Sequence, residues 1–206
     1  MCTRYYLSSS VPRLEEIILA AKESSLTRRF NIVRSPLKTE GEVRPTDVVP
    51  ILAPNPDGEE TVYPMRWGYT NPYKGGKILL NARTETASIK PMFKEDWINH
   101  RCIIPALYYF EWSHNKKYDG SIEVGDRYII QPKGESITWL CGLYHIEDNF
   151  PTFVVLTKEP TEEISGIHDR MPFILPSTLA SEWIRIGADP KELLNEAVTE
   201  VIAEKG

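Results

Sequence analysis

Cysteine is scarce in this chain. It occurs three times, at Cys2, Cys102 and Cys141, an odd number at wide spacing with no CxxC pair. Neither a secreted disulfide framework nor a zinc ribbon can be assembled from that set, so a reducing, cytoplasmic setting is expected. Long apolar runs are missing too. No stretch approaches the roughly 18 apolar residues of a membrane span, and no basic segment followed by an apolar core marks a signal peptide. Gly/Ser-rich linkers, internal repeats and low-complexity tracts are absent. The 206 residues therefore read as one domain, 1–206, long enough to bury a core without disulfides. Positive charge is not in excess. A net charge of -5 argues against a broadly basic coat for nucleic acid and leaves room for a few arginines gathered in a cleft.

What is present begins at Met1-Cys2-Thr3-Arg4. A small residue at position 2 is what methionine removal requires, and a mature chain starting at Cys2 would carry a thiol and an α-amine on one carbon framework. An α-amine titrates near about 8 and a thiol near about 8.5, so near neutral pH some of each is expected to be unprotonated. The amine can condense with an aldehyde and the thiol can then close a five-membered thiazolidine. Alternatively the thiol can attack an acyl carbon, as an N-terminal nucleophile does in amide hydrolysis.

Further along, Tyr5 to Leu7 reads as a strand and Val11 to Glu23 as an amphipathic helix with Leu14, Ile17, Ile18 and Ala21 on one face. Arg28, Arg29 and Arg34 fall in a loop-like stretch. Val48 to Leu52 and Thr61 to Trp67 are strands joined by the turn Pro54 to Gly58. Trp67 is either a core residue or a surface on which bases stack. The strand Ile78 to Leu80 delivers Asn81, Arg83 and Glu85 at its end, a place where sites are built and also where strands simply meet water. Cys102 reads as a small core residue.

The strand Leu107 to Trp112 sets Glu111 among large residues, where a carboxylate should titrate upward into the range useful for proton transfer. The competing reading is a structural ion pair with Arg83. His114 to Gly120 is expected to be a polar turn, and Arg127 to Gln131 with Ile137 to Tyr144 a hairpin about Pro132-Lys133-Gly134. His100, His114 and His145 lack ligand spacing and read as surface histidines. His168, between apolar segments, is a tunable imidazole. Its neighbour Asp169 should point the other way on an extended chain and be structural. Two helices are expected at the end, the second opened by the capping box Asp189 to Glu192 and carrying Leu193 to Val201. The expected fold class is α+β, with a mixed, barrel-like β-sheet core flanked by helices.

Five stretches, Met1-Cys2-x-Arg4, Asn81-Ala82-Arg83-x-Glu85-Thr86, Met92-Phe93-Lys94, Phe110-Glu111-Trp112 and His168-Asp169-Arg170-x-Pro172, resemble the SOS-response-associated peptidase (SRAP) family in order and spacing. The resemblance runs from Cys2 to about Trp183. It implies a sensor of abasic sites in single-stranded DNA that forms a covalent thiazolidine DNA–protein crosslink through Cys2 once Met1 is gone. It also implies a cysteine-type autopeptidase for Met1 removal and leaves a lyase activity open. By the same resemblance Cys2, Asn81, Glu111 and His168 are the catalytic set. Arg4, Trp67, Arg83, Met92, Phe93, Thr157 and Arg170 would hold the DNA. No cofactor, metal or membrane is expected, and the protein would act as a monomer in the cytoplasm, at the nucleoid when bound to DNA.

Two departures stand out. Thr3 occupies a position where the family commonly has Gly, and the family's further C-terminal tail with its Trp- and Val-containing motif is not seen. The alternative reading is an N-terminal-nucleophile cysteine amidohydrolase or peptidase, although Thr3-Arg4-Tyr5-Tyr6 offers no Gly-rich oxyanion arrangement. A DNA-binding module without chemistry is the third.

Overall fold

Strands buried on both faces lie at the centre of this fold, and strands with one wet face lie around them. The computed structural model describes residues 2–72, 75–116 and 121–206. In chain order its elements are β1 (Arg4–Leu7), α1 (Pro12–Glu23), α2 (Ser25–Ile32), β2 (Gly41–Val43), β3 (Val48–Pro54), β4 (Glu60–Trp67), β5 (Tyr69–Asn71), β6 (Lys77–Leu79), β7 (Asn81–Arg83), α3 (Thr84–Ala87), α4 (Lys94–Asn99), β8 (Arg101–Ala106), β9 (Tyr108–Lys116), β10 (Ile122–Pro132), β11 (Thr138–Glu147), β12 (Phe150–Lys158), α5 (Glu162–Ser165), β13 (Met171–Pro172), β14 (Ile174–Leu175), α6 (Ala180–Ile184), α7 (Pro190–Leu193) and β15 (Val201–Lys205).

Five strands close into a ring. β12 pairs with both β4 and β11, and the circuit is completed through β3 and β8. The β12–β4 contact is parallel and the others are antiparallel, so the ring is mixed. The α+β, barrel-like class expected from the sequence is the one adopted. A second sheet, in the order β15-β10-β9-β1-β2, packs beside the ring. Alternate side chains divide between two cores, as a period of two requires. Val49, Ile51, Met65, Ile104, Phe153 and Val155 join Tyr5, Leu7 and Tyr109 of the second sheet, while Leu52, Ile103, Val154 and Leu156 pack with helical Leu14, Ile17, Trp97 and Trp183. Gly142 is needed inside the ring, because a Cβ there would stand 2.5 Å from Ile104 Cδ1 and 2.6 Å from the Val154 carbonyl.

Several expectations are corrected by the structure. The stretch containing Arg28 and Arg29 is the helix α2, not a loop: Ser24 Oγ caps it by accepting from the Leu26 N–H at 3.3 Å, and Thr27 and Phe30 are buried beneath it. β10 and β11 do not form a hairpin. Thr138 to Leu143 are all buried, which suits a ring strand with neighbours on each side, so β11 joins β8, β12 and β14 while β10 pairs with β9 and β15. The last helix stops after one turn at Leu193. The β-branched Val198, Thr199, Val201 and Ile202 favour extended chain, and Val201–Lys205 becomes the edge strand β15. His114 lies within β9 rather than in a turn, and positions 117–120 of that expected turn fall outside the described residues. Among the described residues, no helix is long and apolar enough to cross a membrane.

Candidate functional site

β1 lies in the middle of its sheet, with Arg4 opposite Phe110 of β9 on one side and Tyr5 opposite Val43 of β2 on the other. That placement carries Cys2 to the neighbourhood of Glu111. Asn81 arrives from the ring, where β7 runs parallel to β12, and its Nδ2 donates to the main-chain carbonyl of Cys2 at 3.0 Å. The Asn81 Oδ1 is buried without a hydrogen-bond partner among the described residues. A buried acceptor of this kind costs free energy unless something else satisfies it.

Cys2 has no exposed surface. Its thiol donates to the Arg4 carbonyl at 3.7 Å, and burial, reinforced by the charge of Glu111, pushes its pKa well up. The thiol is therefore held protonated at neutral pH, which corrects the expectation of a ready thiolate. Cys102 and Cys141 are buried and free.

Glu111 is 3% exposed, and burial raises its pKa to about 6. His168 is likewise buried, and burial, with His114 close by, lowers its pKa to about 4. The two face each other, with His168 Nε2 3.9 Å from Glu111 Oε1. His168 Nδ1 accepts from the Arg170 N–H at 3.1 Å and also stands 2.8 Å from Asp169 Oδ1. A neutral ring cannot serve both: the amide needs the Nδ1 lone pair, and the carboxylate needs a proton there. The lowered pKa selects the neutral ring with Arg170 as partner, since the exposed Asp169 carboxylate can turn to water at little cost. The remaining proton then sits on Nε2, toward Glu111. Asp169 reaches His168 at all because residues 168–170 bend rather than run extended, contrary to the expectation from the sequence.

Sequence reasoning missed His114. Its ring centroid lies 4.2 Å from that of His168, and its N–H donates to the Ile167 carbonyl at 3.0 Å. Nothing in its spacing announces this, because the contact joins β9 to the loop before β13.

Two cavities flank the site, of about 470 and 600 Å³, and Arg83 lines both. Thr3, Glu111, Trp112, His114, His168 and Arg170 line the first; Asn81, Lys90, Met92, Phe93 and Thr157 line the second. The exposed Arg83 side chain makes no hydrogen bond or ion pair with another described residue, so it is not the counter-ion of Glu111. Arg170 is committed internally, bidentate to Glu85 at 2.8 and 2.9 Å and bonded to the Thr157 carbonyl at 2.7 Å. Thr157 is fully buried and donates to the Ala82 carbonyl. Arg4 pairs with Glu42 at 3.0 Å. Trp67 is not at a surface: it is enclosed between Tyr5 and Phe153, its Nε1 donates to the Leu80 carbonyl, and no face is left for a base. Among the described residues, no group of three or more His, Cys, Asp or Glu is arranged to hold a metal ion.

The sequence pattern of the SOS response associated peptidase (SRAP) family matches residues 1–205. This chain belongs to the SRAP family. It is 34% identical over 199 residues to the abasic site processing protein YoqW of Bacillus subtilis, covering 89% of this chain and 80% of that one. It is 35% identical over 159 residues to YoaM of the same organism, also named an abasic site processing protein, covering 70% and 68% of the two chains. Escherichia coli YedK, of the same description, is 32% identical over 63% of this chain and 57% of its own. Among solved structures, a protein of Bacteroides thetaiotaomicron superposes with a TM-score of 0.74 at 22% identity, covering 99% of this chain and 91% of that one. A phage-related protein of Bordetella bronchiseptica gives 0.69 at 20% identity, covering 100% and 94%. At those identities the likeness is one of fold.

Proposed function

We propose that this SRAP protein processes abasic sites, capturing the open-chain sugar aldehyde in single-stranded DNA through a covalent bond to Cys2 after Met1 is removed. The observation that carries the reading is the meeting beside Cys2 of an amide from β7 and the Glu111 carboxylate from β9, with His168 3.9 Å from that carboxylate. The names of the relatives point the same way.

The chemistry balances without further reactants. The Cys2 amine adds to C1′ of the aldehyde, and Glu111 accepts the nitrogen's proton. Glu111 returns that proton to the former aldehyde oxygen and then relays the nitrogen's second proton to the resulting hydroxyl; water leaves and a neutral imine remains. The Cys2 sulfur bonds to C1′, its proton moves to nitrogen, and the thiazolidine closes. A carboxylate with a pKa of about 6 suits both directions of transfer near neutrality. The protonated thiol favours this order, with the amine first and sulfur second. Asn81 holds the Cys2 backbone in place, and His168 polarises the sugar oxygen through its Nε2–H. Positioning of this kind can supply roughly 7 to 11 kcal/mol of a barrier.

Ring closure also consumes the imine, the species from which loss of a C2′ proton and the 3′-phosphate would cut the strand, so a lyase outcome is the minor path. The Glu111–His168 pair is equally available to a cysteine-type step releasing Met1. Arg83, which lines both cavities, grips a phosphate. Met92 and Phe93 offer an apolar wall, while Thr157 and Arg170 shape the groove. Such a protein belongs to the DNA-damage response and acts as a monomer in the cytoplasm at the nucleoid.

The test is incubation of the mature protein with single-stranded DNA carrying one abasic site, followed by a denaturing gel and intact-mass measurement. A heat-stable adduct that disappears in Cys2→Ala supports the reading. No adduct with protein shown by mass to lack Met1 overturns it.

A further inference from the structure

Outside the site, a close set of titratable side chains surrounds His145 on β11. Its Nε2 lies 2.8 Å from Glu147 Oε1 and its Nδ1 3.2 Å from Asp96 Oδ2, and the ring stacks on Tyr69 with centroids 3.7 Å apart. Both ring nitrogens face carboxylates at hydrogen-bond distance, an arrangement that a doubly protonated ring satisfies at both ends. The ring is held between carboxylates on two different elements, Asp96 of α4 and Glu147 of β11. Burial alone would lower the His145 pKa; the bonds to Asp96 and Glu147 outweigh it and raise the pKa.

Glu147 passes this constraint on. Its Oε1 accepts from the Thr70 N–H at 2.8 Å and its Oε2 from the Thr70 hydroxyl at 2.7 Å. Thr70 is the middle residue of β5, whose other partner is β6, with Tyr69 opposite Leu79 and Asn71 opposite Lys77. Asn71 and Leu79 line the cavity of about 600 Å³ that also contains Asn81. The hairpin is hinged at Gly68, whose φ is +117° and where a Cβ would stand 2.2 Å from Ile78 Cγ2. Only glycine allows β6 to lie that close.

We propose that His145 is a positioning residue: as an imidazolium between Asp96 and Glu147 it fixes the β5–β6 hairpin as one wall of the cavity beside Asn81. Its bearing on DNA rests on the abasic-site reading. The other groups around it are His100, the residue that caps the end of α4, bonded to Asp96 at 2.8 Å, and Arg66 on β4, 3.4 Å from Glu147. Cys102 of β8 and Tyr144 of β11 are near Asp96, and Asp148 shares a cavity with His145. When His145 loses a proton, one ring nitrogen presents a lone pair to a carboxylate. Glu147 then gains freedom to leave Thr70, and the wall loosens as pH rises.

The experiment uses the whole chain without DNA. Nitrogen-15 NMR of the imidazoles is recorded from pH 6 to 9, with amide exchange of Thr70 and Asn71 corrected for the intrinsic rise of exchange with pH. The expected result is two His145 N–H groups at pH 7, and protection of Thr70 that falls about tenfold as His145 titrates, while core amides such as that of Leu140 keep theirs. His145→Gln and Glu147→Gln should show the lowered protection already at pH 7. The wild-type titration decides the matter even if a variant fails to fold. A single ring proton on His145 at pH 7, or Thr70 protection indifferent to its titration, overturns the proposal. A second arm measures binding of abasic single-stranded DNA by Cys2→Ala at pH 7 and 9. Absence of DNA binding there counts against the abasic-site reading, while the DNA-free arm still decides the role of His145.

Discussion

The Asn81 Nδ2 donates to the Cys2 carbonyl at 3.0 Å across 79 positions of sequence, joining the segment just before β1 to the start of β7. The bond stitches the segment leading into the second sheet to the ring, at Cys2. Asn81→Ala removes it and leaves the Cys2 amine less well aimed. Single-turnover crosslinking with saturating abasic single-stranded DNA should slow by about 100-fold, the scale of a small misplacement of reacting groups. A rate within twofold of wild type would show that the bond does not position the amine.

Glu111 gives a pH signature. With a pKa of about 6, it is a base above that pH and an acid below it. Crosslinking should rise through pH 6 and level off, and Glu111→Gln should remove that inflection and slow the reaction far more than it weakens DNA binding. Stability moves the opposite way. An unfolded glutamate titrates near about 4.3, so between that pH and about 6 the folded state binds the extra proton and stability declines as pH rises. Above pH 6 the buried charge costs about 2 kcal/mol. Glu111→Gln is expected to raise Tm at pH 8 and leave it unchanged at pH 4. Thermal melts at the two pH values check this, and equal shifts at both would argue that burial does not perturb the carboxyl.

Arg83 and Trp67 should separate cleanly. Arg83→Ala leaves Tm near wild type, because the exposed side chain makes no hydrogen bond or ion pair with another described residue, and it reduces the slope of log affinity against log salt for single-stranded DNA by about 0.7. Trp67→Ala opens a hole in the core and should cost about 3–5 kcal/mol. A Trp67→Phe protein that still folds should bind DNA as wild type does. Fluorescence anisotropy at several salt concentrations, with denaturant melts alongside, distinguishes the two roles.

Arg170→Lys tests the clamp on Glu85. A single ammonium cannot reproduce two parallel bonds to a carboxylate and a third to the Thr157 carbonyl. Because Glu85 is partly exposed, the loss should be modest, about 1–3 kcal/mol in urea unfolding. Glu85→Gln, which keeps one acceptor, should lose less. The reverse order would mean that the charge on Glu85, not the geometry of Arg170, matters most.

The site was more legible in the sequence than the path of the chain. Cys2, Asn81, Glu111 and His168 stand out because their chemistry is out of place in apolar or terminal surroundings, and such residues are conspicuous whatever the strands do. Strand partnership was not legible. Pro132-Lys133-Gly134 has the composition of a hairpin turn, but pairing is settled by which apolar faces need covering, and β11 needed neighbours that β10 could not supply. The strand β15 was hidden by a valid helix start at Asp189, whose side chain does cap Lys191. His114 and His145 were invisible as anything but surface residues, since their partners come from distant elements. Trp67 was ambiguous from sequence, and the core claimed it.

A strand hydrogen-bonded along both edges, as β1 is by β2 and β9, has nowhere to slide. Cys2, two residues before that strand, is thereby held close to the cavity that Thr3 and Glu111 line. An expression tag fused ahead of Met1 should leave the protein folded yet chemically mute. A tag placed after Gly206, beyond the edge strand β15, leaves that end of the molecule untouched.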